Sequence, residues 1–409
     1  MKILKPFIYC SIILSLACCK KKSDENTPVP EPKAPEKTSK SVRFASYNCS
    51  LNRNAAGKLL SDLSSQNNVQ VGKVAEIIQI NRPDVVALLE FDYDADGAGI
   101  QLFQKNYLSI SRNGSTPIEY PYSYAVPTNT GYITPYDLNN DGKVALGDDA
   151  FGFGFYPGQY AFVVLSKYPI EKAAIRSFQN FLWNDMPEAM LPKKPGTDSM
   201  YYSSEELKIL RLSSKNHVDV PINIDGTIVH ALVSHPTPPV FDGPEDRNGK
   251  RNHDEIRLWA DYVQNKDYMY DDRGMKGGLP ATEKFVIMGD LNADPVDGEA
   301  TGFPISQLIG NARISQEVLT GQFIPKSEGG KENVPKDPLR KNDKQDPSFD
   351  TAFWGLRADY VLPSSNMGVD STGVFWPKTG DPLRRLVDQV EFVNTSSDHL
   401  LIWANIRVR

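Results

Sequence analysis

The stretch Asp84-Val-Val-Ala-Leu-Leu-Glu90 is a nearly continuous apolar run that ends in a carboxylate. Such a run is typical of a strand that is buried on both faces of a sheet. Pro83 stops any helix immediately before it, and the apolar residues of 71–80 recur at the spacing of one helical face. A strand is also predicted at Val42 to Asn48. The folded part of the chain therefore opens with a strand, a helix and a second strand.

The same patterns predict further strands and one more long helix toward the C-terminus. The strands are predicted at Gln159 to Leu165, Thr227 to Ser234, Lys284 to Asp290, Ala358 to Leu362 and Leu400 to Ile406, and the helix at His253 to Val263. Two polar stretches rich in Pro, Gly and Tyr, at about 91–158 and 177–221, are predicted to be long insertions that shape a substrate pocket. One domain with two insertions is thus predicted over 42–409.

The overall composition is that of a globular protein with a large buried core. The chain has 409 residues, of which 40% are hydrophobic and 23% charged. Its formal net charge of -6 provides no general positive field that would attract polynucleotides. Nucleic acid therefore stays a possible partner but not a favoured one.

The N-terminus predicts export. Lys2 and Lys5 precede a short apolar run, and this run ends in Leu16-Ala17-Cys18-Cys19, which resembles a bacterial lipoprotein signal over 1–19. Either Cys18 or Cys19 would carry the lipid; plain cleavage without a lipid is the alternative. Residues 20–41 are rich in Lys, Glu, Thr and Pro and are predicted to be a disordered linker. We expect a monomer in the bacterial cell envelope that touches the membrane only through the lipid anchor, or otherwise a secreted protein.

Polar residues follow several of the predicted apolar strands. Asn48, Glu90 and Asp290 stand at three such ends, and His235 stands at a fourth. A buried carboxylate is costly unless it is paired or binds a metal. Oxygen ligands together with a few imidazoles suit a hard divalent ion such as Mg²⁺ or Mn²⁺.

The order of these motifs resembles the endonuclease/exonuclease/phosphatase superfamily. The motifs are Ser-Tyr-Asn48, Leu-Leu-Glu90, Ser-His235-Pro-Thr, Gly-Asp290-Leu-Asn292, Arg-Ala-Asp359-Tyr and Ser-Ser-Asp398-His399. The resemblance implies an α/β fold, a four-layer α-β-β-α sandwich of two packed mixed sheets like that of deoxyribonuclease I. It also implies Glu90 as the main metal ligand, assisted by Asn48 and Asp398.

The resemblance further implies roles for the remaining motif residues. Asp290 would orient and deprotonate the attacking water, and Asn292 would hydrogen-bond the phosphate. His399, held by Asp359, would contact a non-bridging oxygen or assist catalysis. His235 would stabilise the phosphorane-like state or protonate the leaving oxygen. Taken singly, each residue has an ordinary alternative as a turn cap, a surface residue or a member of an ion pair.

Two features lie outside these motifs. The segment 137–148 matches a calcium-loop template, against the alternative of an Asx-rich surface turn. Its candidate ligands for a structural Ca²⁺ are Asp137, Asn139, Asp141, Lys143 through its carbonyl, and Asp148. Arg247 and Arg251 are candidate substrate-binding residues, because guanidinium groups match phosphate oxygens; a solvated helix face is the alternative.

The predicted function is metal-dependent hydrolysis of a phosphodiester or a phosphomonoester by water that Asp290 activates. The substrate would be a small molecule, a lipid headgroup or a nucleotide. One alternative is a secreted nuclease of the same family. The other is a non-catalytic, calcium-stabilised surface binding module, which would not need to keep chemically competent residues at every motif position.

Overall fold

Two mixed β-sheets form the centre of the molecule, seen here in a computed structural model that describes residues 39–333, 344–390 and 393–408. The strands are β1 (Lys40–Leu51), β2 (Val85–Phe91), β3 (Tyr122–Val126), β4 (Phe162–Ser166), β5 (Arg176–Ser177), β6 (His217–Ile224), β7 (Thr227–Ser234), β8 (Lys284–Asp290), β9 (Asp359–Pro363), β10 (Gly368–Val374), β11 (Gln389–Val390), β12 (Val393–Asn394) and β13 (Ile402–Val408). The α-helices are α1 (Lys58–Leu63), α2 (Val69–Asn81), α3 (Ala98–Phe103), α4 (Ser204–Leu207), α5 (Arg247–Tyr262) and α6 (Glu328–Lys331). The predicted signal and most of the predicted linker lie outside the described residues.

The first sheet has six strands in the order β10-β13-β1-β2-β4-β3. β2 is buried along almost its whole length and pairs in parallel with β1, with Phe44 opposite Val85. The crossover between them is α2, which begins after an Asn68 cap and ends at Asn81. The next residue, Arg82, caps the helix in a left-handed conformation just before Pro83. The predicted strand-helix-strand opening is therefore confirmed.

The second sheet has five strands in the order β5-β6-β7-β8-β9. β7 and β8 are parallel, with Ser234 opposite Gly289, and α5 connects them. β9 runs antiparallel to β8 and places Asp359 opposite Asp290. Because parallel strands end at the same edge, the residues that follow β7 and β8 come together there.

The core divides the molecule into layers. Successive residues of β8 point to opposite faces, so Val286 and Met288 pack into the core between the two sheets, whereas Ile287 packs into a second core under α5. Trp259 of α5 lies in that second core, and Val74 of α2 covers the outer face of the first sheet. The order helix, sheet, sheet, helix confirms the predicted four-layer sandwich. Within the described part of the chain, no helix is long and apolar enough to cross a lipid bilayer.

Both predicted insertions contain regular structure. β3, at the edge of the first sheet, lies inside the first insertion, and β6 begins inside the second. The sequence pattern does not predict β6, because Pro221 lies within it, and proline, which lacks an N–H group, is rare within sheets. In an antiparallel strand, the nitrogen and the carbonyl of one residue point to the same neighbouring strand. The carbonyl of Pro221 accepts a hydrogen bond from Glu171 N, on the side away from β7. Its nitrogen faces the same way, so no hydrogen bond between β6 and β7 is lost.

Candidate active site

The motif residues meet at one edge of the sandwich. Asn48 and Glu90 lie at the ends of the parallel pair β1 and β2, and Asp290 lies at the end of β8. Asp398 and His399 come just before β13, whose first residue pairs with β1 near the end of that strand. A cleft of about 350 Å³ at this edge is lined by residues from both sheets, among them Glu90, His235, Asp290, Asn292, Asp398 and His399.

Asn48 links the two sheets within this cleft. Its side chain is buried, and its Nδ2 donates hydrogen bonds to Glu90 Oε1 at 3.2 Å and to Asp290 Oδ2 at 3.1 Å. One amide therefore holds a carboxylate of the first sheet and a carboxylate of the second. Its Oδ1 accepts a bond from Ser50 N at 3.2 Å, so the orientation of the amide is fixed.

Glu90 and Asp398 form the acidic side of the cleft. Asn52 Nδ2 donates to Glu90 Oε2 at 2.6 Å, and Ser50 Oγ donates to Asp398 Oδ1 at 2.9 Å. Burial and the negative charge of Asp398 raise the pKa of Glu90. Glu90 also has a φ of 57°, a strained conformation for a non-glycine residue that is typical of functional sites.

This donor set fits a hard divalent cation. Glu90 and Asp398 are neighbouring carboxylates, and the charge of Asp398 disfavours that of Glu90. Asn48 presents its NH₂ group to Glu90 and its Oδ1 to Ser50 N, so its role as a metal ligand stays a prediction. A cation bound between these oxygens would relieve that repulsion. Ligand atoms of Asp290, Asp359 and His399 also lie within 4.8 Å of one another. There, however, both nitrogens of the imidazole already face carboxylates, whereas Glu90 and Asp398 are carboxylates that could hold a cation.

His399 lies between two buried carboxylates. Its Nδ1 is 2.8 Å from Asp359 Oδ2, and its Nε2 is 3.3 Å from Asp290 Oδ2. Thr351 Oγ1 donates to the same Asp359 oxygen at 2.7 Å, and the ring of Trp354 packs edge-on against the imidazole at 4.7 Å. Burial alone would lower the pKa of His399, but the charges of Asp359 and Asp290 outweigh it and raise that pKa well above the usual range.

Asp290 is the most highly connected carboxylate of the cleft. It is fully buried and accepts hydrogen bonds from Asn48 Nδ2 and, at 2.9 Å, from Asn292 N. Burial raises the pKa of Asp290 to about 7, against the opposing effect of the charge on His399. A carboxyl group with this pKa is suited to exchange a proton with water near neutral pH.

His235 faces the same oxygen of Asp290, at 3.4 Å from its Nε2. Burial, followed by the positive charges of Lys215 and His399, lowers the pKa of His235 well below the usual range. Its Nδ1 is buried and has no hydrogen-bond partner among the described residues. Among the described residues, no carboxylate contacts Nδ1 of His235, in contrast to Nδ1 of His399.

Asn292 and the two candidate arginines have partners within the protein. Asn292 has a φ of 52°, and its Nδ2 donates to Pro236 O at 3.1 Å. Arg247 pairs with Glu245 and lies 3.5 Å from Asp148. Arg251 donates to three carbonyl groups, those of Leu212, Phe151 and Arg211. Both guanidinium groups therefore support the walls of the site, and their predicted binding of substrate stays a prediction.

In the candidate calcium loop, side-chain oxygens accept hydrogen bonds from backbone N–H groups of the same loop. Asp137 accepts hydrogen bonds from the N–H groups of Asp141 and Gly142, Asn139 also accepts from Asp141 N, and Asp141 accepts from Lys143 N. Asp148 points toward Arg247, whereas the neighbouring Asp149 accepts bonds from Leu138 N and Ala145 N. Calcium binding stays a prediction.

Several residues of the site were not predicted from the sequence. Ser50 and Asn52 closely follow Asn48, but the register of β1 shifts between Asn48 and Leu51 and Ser50 has a φ of 48°, so a regular two-residue period does not predict their positions. Trp354 and Lys215 carry no signal either, because both lie in segments without a recognisable pattern. Lys215 is 7% exposed, and its Nζ reaches Pro236 O at 3.5 Å.

Two packed mixed sheets with carboxylates, amides and imidazoles gathered at their strand ends define the deoxyribonuclease I-like class of folds. The chain belongs to the Endonuclease/Exonuclease/phosphatase family, whose sequence model matches residues 45–399. Members of this family are hydrolases that act on phosphoester bonds. No curated protein significantly matches the sequence.

Solved structures similar to this chain include three bacterial proteins. An endonuclease/exonuclease/phosphatase from Beutenbergia cavernae is 16% identical, covers 90% of this chain and 72% of its own, and has a TM-score of 0.48. A family protein from Bacteroides thetaiotaomicron is 14% identical, with coverages of 91% and 96% and a TM-score of 0.46. Sphingomyelinase C from Streptomyces griseocarneus is 17% identical, with coverages of 90% and 99% and a TM-score of 0.42.

Proposed function

We propose that this protein is an exported, divalent-metal-dependent phosphoesterase in which Asp290 activates the attacking water. The observation that supports this most directly is the position of Asp290. Its Oδ2 is shared by Asn48 and lies within 3.4 Å of His235 and 3.3 Å of His399, beside the acidic pair of Glu90 and Asp398. Export rests on the N-terminal segment of the sequence.

Glu90, Asp398 and Asn48 would hold the metal ion. Mg²⁺ or Mn²⁺ at this place supplies Lewis acidity, which polarises a phosphoryl oxygen and neutralises charge that develops on it. Asn48 keeps Glu90 and Asp290 at a fixed separation, because its amide donates to both. The metal ligands and the base are thus positioned by the same side chain.

In the proposed reaction, one proton is transferred, one bond to phosphorus forms and one bond to phosphorus breaks. Asp290 takes a proton from water, the water oxygen bonds to phosphorus, and the bond between phosphorus and the leaving oxygen breaks. His399, kept charged by Asp359, stabilises the negative charge on the phosphoryl oxygens. His235 is neutral, so it donates a hydrogen bond to the transition state more readily than it gives up a proton.

The test is release of nitrophenol from bis-p-nitrophenyl phosphate by the mature protein with Mn²⁺. We expect turnover that EDTA abolishes and that Asp290→Asn lowers by about 10³-fold or more, as expected for loss of a general base. Asp198→Asn is the matched control, because Asp198 is fully exposed and pairs only with Lys193 in the described structure. Absence of turnover by the folded wild-type protein toward monoesters, diesters and DNA would instead support a binding module.

A further inference from the structure

A second cavity adjoins the catalytic cleft. It has a volume of about 460 Å³, and Glu90 and His235 line both it and the cleft. The residues Pro238, Val240 and Phe241 also line both, so the segment 238–241 forms a ridge between the two spaces. A group bound at Glu90 and His235 therefore has room on either side of this ridge.

Nine of the eighteen residues that line the second cavity are apolar or aromatic, and we call it the aromatic cavity. Its apolar lining consists mainly of Leu138, Phe153, Tyr160, Tyr202, Leu210 and Phe241. Leu138 and Phe153 come from the first predicted insertion, and Tyr202 and Leu210 come from the second. The cavity is thus built by the parts of the chain that elaborate the sandwich, and its volume lies in the range of small-ligand pockets.

The charged groups in the wall of the aromatic cavity are largely neutralised. Arg247 is paired with Glu245 and lies 3.5 Å from Asp148, and Arg251 is bonded to three carbonyl oxygens. An occupant gains little from carrying a second charge there. The wall favours a neutral planar or apolar group.

Lys215 is a buried lysine in the wall of the aromatic cavity, on the side of Glu90 and His235. Its side chain lines the aromatic cavity together with Glu90 and His235. An ammonium group has three hydrogen-bond donors, and here the described contact is one bond of 3.5 Å to Pro236 O. Burial of such a group is costly unless an anion completes its contacts. A phosphoryl oxygen at Glu90 would meet this requirement.

Phe241 lies in the ridge with an exposed aromatic side chain and a strained backbone conformation. Its side chain is 83% exposed, and its φ is 65°, which is strained for a residue of this size. An aromatic ring kept in water on a strained backbone, between two cavities, is placed to pack against a ligand.

We propose that the aromatic cavity binds one ester arm of a small phosphodiester, with a phosphoryl oxygen at Lys215 and a neutral planar or apolar alcohol group against Phe241. The second arm lies across the ridge, in the catalytic cleft. This proposal rests on the proposed phosphoesterase function and adds the class of substrate to it. A long polynucleotide is disfavoured, because the aromatic cavity is a pocket and not an open groove.

The test compares bis-p-nitrophenyl phosphate with methyl p-nitrophenyl phosphate, which releases the same phenol but has a small second arm. We expect wild-type kcat/KM to be higher for the first. Phe241→Ala should lower kcat/KM for the bis-aryl diester by about 10-fold, the effect of one aromatic contact. Phe303→Ala is the matched control, because Phe303 is also exposed and has a φ of 50° but lines neither cavity.

Comparing the loss of kcat/KM for the two diesters shows which ester arm contacts Phe241. A loss confined to the bis-aryl diester places the retained arm against Phe241, and an equal loss for both diesters places the leaving arm against it; both support the proposal. Equal effects of Phe241→Ala and Phe303→Ala would overturn it. Higher kcat/KM for p-nitrophenyl phosphate than for either diester would also overturn it while leaving the phosphoesterase function intact. Lack of turnover with all three substrates would remove both.

Lys215 variants test the anion contact separately. Lys215→Met should lower kcat/KM for both diesters by about 10- to 100-fold, and Lys215→Arg should restore part of it, because charged hydrogen bonds contribute about 1.5–3 kcal/mol. Inhibition by inorganic phosphate should weaken in parallel. A folded Lys215→Met protein with unchanged kcat/KM and unchanged phosphate inhibition would contradict this contact.

Discussion

The pair of Asp359 and His399 offers a substitution that removes charge and almost nothing else. Asp359 Oδ2 accepts both hydrogen bonds, from His399 at 2.8 Å and from Thr351 at 2.7 Å, whereas Oδ1 has no hydrogen-bond partner among the described residues. In Asp359→Asn the amide oxygen can take the place of Oδ2, and the NH₂ group the place of Oδ1. Both bonds are then kept, and the NH₂ group, like Oδ1 before it, has no hydrogen-bond partner among the described residues.

The loss in activity follows from the change in bond type. A hydrogen bond to a charged group contributes about 1.5–3 kcal/mol and a neutral one about 0.5–1.5 kcal/mol, so the charge is worth roughly 1–1.5 kcal/mol. At 1.36 kcal/mol for each factor of ten, we expect kcat/KM to fall about 5- to 13-fold near neutral pH. The pKa of His399 also falls, because the charge of Asp359 helps to raise it.

The pH profile separates this explanation from a structural one. Since wild-type His399 stays charged as pH rises, removing Asp359 should let it lose its proton at lower pH, and the deficit should grow toward alkaline pH. The assay is kcat/KM for bis-p-nitrophenyl phosphate between pH 5.5 and 9, with the thermal midpoint measured alongside. A deficit that is constant across pH, or a full-activity variant, would refute the reasoning.

Three further outcomes are expected. Glu90→Gln should raise the Mn²⁺ concentration for half-maximal activity by about 10-fold or more, measured by metal titration, because one of two carboxylates at the metal site is lost. Ca²⁺ at 100 times its dissociation constant should raise the unfolding free energy by about 2.7 kcal/mol, and Asp137→Ala should remove this effect; both are measured by thermal unfolding. If Ca²⁺ does not shift the unfolding of the wild-type protein, the loop is an Asx-rich turn. Glu255→Gln should lower the unfolding free energy by about 1.5–3 kcal/mol, measured with urea, because Glu255 accepts bonds from Ser214 N at 2.7 Å and Thr237 N at 2.6 Å and a glutamine can keep only one.

The elements nearest the site were the most predictable from sequence. The predicted strands Thr227 to Ser234 and Lys284 to Asp290 coincide with β7 and β8. Both are apolar runs with distinct polar ends, so local pattern alone sets their limits. Helix α5 begins six positions before the predicted His253, at Arg247, because the polar first turns of the helix carry no apolar period.

The parts of the site that lie in loops could not be predicted. Sheet register brings Asn48 of β1 and Glu90 of β2 together, and this register follows from the order of the elements. Lys215 and Phe241 reach the cavity through loop conformations that depend on contacts between distant segments. Such contacts leave no periodic trace in a sequence.

The chemistry depends on how the two sheets pack. Asn48 belongs to the first sheet and Asp290 to the second, and the bond of 3.1 Å between them has no support from either sheet's own register. The core between the sheets, which includes Phe44 and Met288, therefore sets the separation of Asn48 and Asp290, the proposed metal ligand and the proposed base. A close-packed core has low compressibility, so it holds this separation closely. A displacement of the reacting groups by about 1 Å can lower the catalytic rate by about 100-fold. Selection for activity in such a site acts on residues of the core as well as on those that touch the substrate.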